Sequence, residues 1–326
     1  MLKEVGALIS LQPNASRIVS NWNIDSYLKK ARPIVDKAFQ IFNSEGALQN
    51  TIDLSKRGFS AEMVCYHRQD LRSCLVDAVK SKDLPGSPPI IRTSSVVIAC
   101  NCEDGTVTLA DGDVLKGDLV VGADGIHSVL RKEVLGFFAD AKPTGVSAYR
   151  MLIDTKQIEN IPSLKDTFSP RDHATTMIFG YDRRIIMGPG RGGDLYGVFA
   201  LLKDIFRQAP SLALSQLRDI DSLPTWVKGR TIIIGDASHV MLPAQGQGAS
   251  QSVEDAEALQ AFFADIAVSP SADQRASLIQ AYSRQQAKPA TDGISDRVHL
   301  NPAEFLEYNC GYQGALEWWK KNCGGG

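Results

Sequence analysis

Thr231-Ile232-Ile233-Ile234-Gly235-Asp236-Ala237-Ser238-His239, followed by Pro243, by Gly246-Gln247-Gly248-Ala249 and by Glu254-Asp255-Ala256, is the stretch that decides the fold. Four β-branched residues in succession predict a strand buried on both faces, as in the interior of a parallel sheet. That strand runs into Gly235-Asp236, and a long helix is expected from about Gly248 to Ile266. Asp236 therefore ends a buried strand at the rim of a crevice, where its carboxylate can accept a hydrogen bond from a ligand hydroxyl. Gly246 and Gly248 let backbone N–H groups approach a ligand closely. They also open a helix, whose N-terminus favours negative charge. A lone Gly-Asp or Gly-Gln-Gly would read as a tight crossover turn. The whole string at this spacing reads as a ligand site.

Working outward, Asp118–Gly122 repeats the theme as a short apolar strand. It leads into Gly122-Ala123-Asp124-Gly125 and then a helix that Ser128 is placed to cap. Asp124 is a second candidate cofactor-binding carboxylate. Arg131 falls in the first helical turn, where the helix dipole disfavours a cation, so a ligand or a structural partner is expected for it. Tyr66–Val79 places Leu71, Cys74, Leu75 and Ala78 at helical spacing. Arg68, near the start of that helix, is a candidate for a pyrophosphate contact, although an arginine at a helix start is as readily a solvated side chain.

Other segments are strand-like. Glu4–Ser20 reads as a short strand, a turn at Pro13-Asn14 and a helix start, and Ser94–Ala110 as antiparallel strands joined at Asp104-Gly105. From Pro143 onward, Val146–Ile153, Thr175–Phe179, Arg184–Met187 and Tyr196–Leu202 form a run of strands, and a helix is expected over Gln274–Gln286. The expected class is α/β. A Rossmann-like domain is built from residues 1–142 and 228–326, with a β-sheet domain over 143–227 inserted between its parts.

Composition narrows the function. The 326 residues carry 35 Lys+Arg against 37 Asp+Glu, a formal net charge of -2, with no block of one sign. Nucleic acid is therefore not expected as a partner, because phosphate binding needs clustered cations. No apolar run approaches the ~18 residues of a membrane span. The start, Met1–Leu11, lacks the apolar stretch of a signal peptide. The six cysteines show no paired metal-ligand spacing, so no metal site is expected, and they read as reduced thiols of a cytoplasmic protein. Nothing in the sequence indicates the oligomeric state.

In this order the strings resemble the class A flavoprotein monooxygenases, specifically their salicylate-hydroxylase-like group. The opening Glu4-Val5-Gly6-Ala7 with Pro13-Asn14-Ala15, and Leu223-Pro224-Thr225-Trp226-Val227-Lys228-Gly229-Arg230, add to the resemblance, which runs with interruptions from Glu4 to about Trp319. It implies FAD as cofactor, NAD(P)H as co-substrate, and O2-dependent hydroxylation of a small aromatic, phenolic or polyketide-derived compound. By position, Arg68, Asp236 and Ala249 are expected to contact FAD, with Ala7 near the adenosine half. Asp236 would meet the ribityl chain, and Gly246–Ala249 the isoalloxazine, whose reduced form is negative along N1 and C2=O. Arg150 aligns with an arginine assigned to the active site in related fungal enzymes. Tyr181 is the nearest candidate for its catalytic partner, and Met187 holds a neighbouring strand position where an aromatic is common.

The family opens with a strand, a G-x-G-x-x-G turn and a helix that cradle the pyrophosphate. This chain opens at Met1-Leu2-Lys3-Glu4, beyond the family's position for that unit, and no G-x-G-x-x-G opens a helix. The resemblance thus implies a Rossmann-like FAD domain whose first βαβ unit is absent. It leaves two functions open: an active hydroxylase, or a non-catalytic remnant with little FAD affinity.

Overall fold

A computed structural model describes residues 7–162, 169–181, 183–203, 214–241, 246–263, 312–315 and 317. The expected helix at Gln274–Gln286 lies outside the described residues. In chain order the elements are β1 (Leu8–Leu11), α1 (Pro13–Ser20), α2 (Asp25–Leu28), β2 (Ile34–Asp36), β3 (Ala38–Asn43), β4 (Leu48–Asp53), β5 (Met63–His67) and α3 (Arg68–Lys80). Then follow β6 (Val97–Asn101), β7 (Thr106–Leu109), β8 (Val114–Lys116), β9 (Val120–Gly122) and α4 (Val129–Leu135). After these come β10 (Lys142–Asp154), α5 (Thr155–Glu159), β11 (Ala174–Phe179), β12 (Arg183–Gly190), β13 (Leu195–Lys203) and β14 (Leu214–Asp219). The last are β15 (Val227–Lys228), β16 (Thr231–Ile233) and α6 (Gly248–Phe263).

The chain packs as two units. One comprises Met1–Ile90 with Pro143–Leu217, and the other Ile91–Lys142 with Arg218–Gly326. These cuts differ from the expected segments 1–142, 143–227 and 228–326. The reason is strand pairing: β3 joins the sheet of the 143–217 segment by pairing in parallel with β11, Ala38 opposite Ala174 and Asn43 opposite Phe179.

The first unit holds a seven-stranded sheet in the order β14-β10-β13-β12-β11-β3-β4 and a three-stranded sheet, β1-β5-β2. All four strands expected between Val146 and Leu202 are present. Two local expectations need correction. Pro13 and Asn14 are not a turn but the first residues of α1, where proline fits because its missing N–H would have no helical acceptor anyway. Tyr66 and His67 belong to β5, and α3 begins only at Arg68. Pairing of β5 with β1 (Leu8 opposite His67) and with β2 (Ile34 opposite Cys65) overrides the helical spacing there. Beyond Arg68 the spacing holds, and Leu71, Cys74 and Ala78 line the buried face of α3.

In the second unit β16 lies between β15 and β9. It pairs in parallel with β9, Thr231 opposite Val120 and Ile233 opposite Gly122, as its apolar, β-branched sequence requires. Ile232 and Ile233 have no solvent exposure and sit in a core with Leu130, Val134, Trp226, Ala258 and Phe262. The antiparallel β6-β7-β8 sheet turns at Gly105, in the expected place.

Asp36 ties the small sheet of the first unit to the large one. Its carboxylate accepts from the Thr175 backbone N–H at 3.0 Å and from the Thr175 hydroxyl. Burial raises its pKa from 3.8 to about 6, against the lowering effect of the Thr175 hydrogen bonds. Because the folded pKa exceeds the unfolded one, protonation favours the folded state. The contribution is therefore gained as pH falls from about 6 towards 3.8, and lost as pH rises through that window. At pH 8 the buried charge costs about 3 kcal/mol by the size of the shift. Asp36→Asn keeps both hydrogen-bonding positions without the charge. It is expected to raise the melting temperature at pH 8 and to lose that advantage near pH 4, as followed by circular dichroism.

Candidate functional site

The Gly235-Asp236 turn is built on the end of β16. The Ile234 N–H donates to the Gly122 carbonyl at 2.9 Å, and the chain then turns through Gly235 at φ +58°, a left-handed conformation that favours glycine. The Ser238 hydroxyl and the His239 N–H both return to the Gly235 carbonyl at 2.9 Å. Gly235, Ala237 and Ser238 are buried, whereas Asp236 is exposed. A rigid apolar strand thus presents one carboxylate to the outside.

Two side chains lock this turn. Arg131, only 2% exposed, donates Nη1 to the carbonyls of Ala237 (3.1 Å) and Asp236 (3.4 Å), Nη2 to Ile126 (2.6 Å) and Nε to Ala139 (2.9 Å). Its expected partner is therefore structural, and consists of four backbone carbonyls. Burial lowers its pKa, offset in part by Asp140 and Asp124, but a guanidinium stays charged regardless. From α6, Asp255 Oδ2 accepts the Gly235 N–H at 2.7 Å and lies 2.7 Å from His239 Nε2. Burial alone would lower the His239 pKa, but Asp255, by charge and hydrogen bond, and Asp236 raise it above 6.5. The imidazolium is thereby favoured beside the turn. Sequence reading quoted His239 and Asp255 within the motif but assigned them no role. Their only signal was their place in the same string.

Asp124 does not present a free carboxylate. Its oxygens accept from the Ser128 hydroxyl (2.5 Å) and from the N–H groups of Val129 (2.8 Å) and Leu130 (3.1 Å), while Ser128 Oγ accepts from the Arg131 N–H at 2.9 Å. It thus satisfies the start of α4, which would otherwise leave N–H groups without acceptors. Gly246 adopts φ +65° just before α6, and Gly248 and Ala249 are its first two residues.

In the first unit, the Arg68 N–H donates to the Ala7 carbonyl at 2.9 Å, so two of the expected residues are neighbours. Arg150 in β10 is half-buried, with its guanidinium 5.5 Å from the Phe199 ring centroid. Burial lowers its pKa, and nearby Arg68 lowers it further. The register runs Arg150–Phe199–Ile186–Met177–Ile41 across five strands, a half-buried row on one face. Tyr181 is not in that row. It is fully exposed, beyond the end of β11 at Phe179, which removes it as the partner of Arg150. Met187 follows Ile186 in β12 and so faces the opposite side of the sheet.

Residues 218–295, which include Asp236, Gly246, Gly248 and Ala249, match the FAD binding domain family. The FAD-dependent monooxygenase phomE' of Diaporthe leptostromiformis is 28% identical over 301 residues, 79% of this chain and 74% of that protein. The chain is a homologue of the class A flavoprotein monooxygenases. Salicylate hydroxylase of Pseudomonas putida is 28% identical over 324 residues, 86% of this chain and 72% of that one. In fold, the chain is similar to the crystal structure of CtdE in complex with FAD and a substrate. The TM-score is 0.78 at 20% identity, covering 98% of this chain and 89% of that one. A salicylate hydroxylase substrate complex gives 0.71 at 22% identity, with 96% and 84% covered.

Arg131→Met is expected to destabilise the second unit by about 2–4 kcal/mol, because buried carbonyls lose charge-assisted donors. Arg131→Lys should recover little of this, since an ammonium cannot reproduce the fork. Urea unfolding followed by tryptophan fluorescence measures both. Stability within about 0.5 kcal/mol of the parent in the methionine variant would remove Arg131 as the keystone of the turn.

Proposed function

We propose that this flavoprotein homologue uses NAD(P)H and O2 to hydroxylate a small aromatic compound, phenolic or polyketide-derived, in the cytoplasm. The observation that carries the reading is the exposed Asp236 carboxylate on an otherwise buried, doubly locked turn. A ribityl chain offers hydroxyl donors, which suits a fixed acceptor. The start of α6, opened by Gly246 and Gly248, provides N–H groups and a dipole suited to the negative edge of a reduced flavin. Arg68 is assigned to the pyrophosphate or the flavin edge, and Ala7 to the neighbourhood of the adenosine half. Asp124 contributes by holding the start of α4. Bound FAD would supply electron transfer from NAD(P)H and activation of O2.

The remaining chemistry belongs to the protein. The Arg150 row supplies apolar surface from Met177, Ile186 and Phe199, with one guanidinium above it. An aromatic ring lies on such a surface, and the cation favours a phenolate over a phenol, which makes the ring more electron-rich. In this reading the sheet of β10–β14, joined by β3 and β4, forms the substrate side, and the rest of 1–142 with 228–326 forms the flavin side. Among the described residues no G-x-G-x-x-G turn joins a strand to an α-helix. Gly188-Pro189-Gly190-Arg191-Gly192-Gly193 fits that pattern but joins β12 to β13.

The test is flavin titration with Asp236→Ala beside the parent. Loss of a buried-site hydrogen bond of ~1–3 kcal/mol predicts roughly tenfold weaker FAD binding or more. The parent is also expected to oxidise NAD(P)H faster with a phenolic substrate and to add one oxygen atom to it. A parent that neither holds FAD nor oxidises NAD(P)H would favour a non-catalytic relative. Equal FAD affinity in the variant would reject Asp236 as a ligand.

A further inference from the structure

Arg191 interrupts β12 and β13 with a backbone that L-residues seldom adopt. Its φ is +48°, and Gly192 and Gly193 follow at +64° and +90°. A long side chain in the left-handed region needs something to hold it there. The holder is Asp70, in the first turn of α3. Arg191 Nε donates to Asp70 Oδ2 at 2.5 Å and Nη2 to Oδ1 at 2.7 Å, so both carboxylate oxygens are engaged in a two-pronged pair. Nη2 also lies 3.3 Å from Nδ1 of His67, a buried residue that precedes the helix. The Arg191 guanidinium beside Asp70 holds that carboxyl below its usual range.

What the fork touches is the start of α3, and its first residue is Arg68. The backbone of Arg68 is tied to Ala7 on one side. Two residues on, Asp70 ties the same turn to Arg191. Arg150 lies near enough to Arg68 for its pKa to be lowered by that charge.

We infer that the Asp70–Arg191 fork is a positioning device that sets the first turn of α3, so that Arg68 meets the anionic part of the bound cofactor. Arg191 and Asp70 touch no ligand in this account and act through Arg68. The inference rests on the flavin reading above.

The experiment is a double-mutant cycle on FAD affinity at a temperature well below unfolding, with Asp70→Asn and Arg191→Gln each in the parent and in an Arg68→Met background. Each fork variant is expected to weaken FAD binding about tenfold in the parent and by less than about twofold once Arg68 is methionine, the signature of coupled sites. Arg191→Lys, which keeps the charge without the fork, should behave like Arg191→Gln. Equal losses in both backgrounds would show a general structural role and overturn the inference. No loss in the parent would also overturn it, while leaving the flavin reading intact. Failure of the unaltered chain to bind FAD would overturn the flavin reading and this inference together.

Discussion

Among the described residues the buried Arg131 guanidinium is hydrogen-bonded to backbone carbonyls and to no carboxylate, and the second unit is arranged around it. It joins the loop after β9, the residues following α4 and the turn after β16. Backbone carbonyls cannot move independently of the chain, so a guanidinium that satisfies four of them fixes three segments at once. The cost of burying its charge is tolerable because every arm of the fork meets an acceptor. Asp255 secures the same turn from α6 through the Gly235 N–H. With donor and acceptor sides both held, the turn presents the exposed Asp236 side chain on a fixed backbone. That is the arrangement a binding carboxylate requires, since a prepositioned acceptor loses little freedom when a ligand arrives.

The first unit solves a different problem. It brings two like charges, the exposed Arg68 and the half-buried Arg150, close together at its surface. Left alone they would drive that surface apart or demand an anion. The Phe199 ring under Arg150 and the tethered start of α3 hold them instead. Asp36, buried between the two sheets of this unit, adds a further polar tie.

Much of this was legible in the chain because local pattern and global packing agree. Ile232 and Ile233 are fully buried, as four β-branched residues in a row imply, and β16 and β9 lie in one sheet, within the single domain expected to hold both. Ser128 caps α4 as expected. Readings failed where tertiary contacts decide. Tyr66 and His67 fall in the segment read as helical, yet two strand partners claim that segment's start. Tyr181 was chosen for proximity in sequence, but the hairpin carries it to solvent. Residues 1–90 were assigned away from the large sheet, because a parallel pairing between β3 and β11 leaves no local trace. The Asp70–Arg191 pair spans 121 positions, and the Asp255–Gly235 bond joins a helix to a turn, so neither has a signature in spacing.

The central claim is that FAD is held through the Asp236 turn and the start of α6. Backbone hydrogen–deuterium exchange of this chain, with and without saturating FAD, tests it most directly. Protection on adding FAD should concentrate at Gly235–Ser238 and Gly246–Ala249. The β6-β7-β8 sheet should be unchanged. Unaltered exchange across Gly235–Ala249 in the presence of bound FAD would contradict the account.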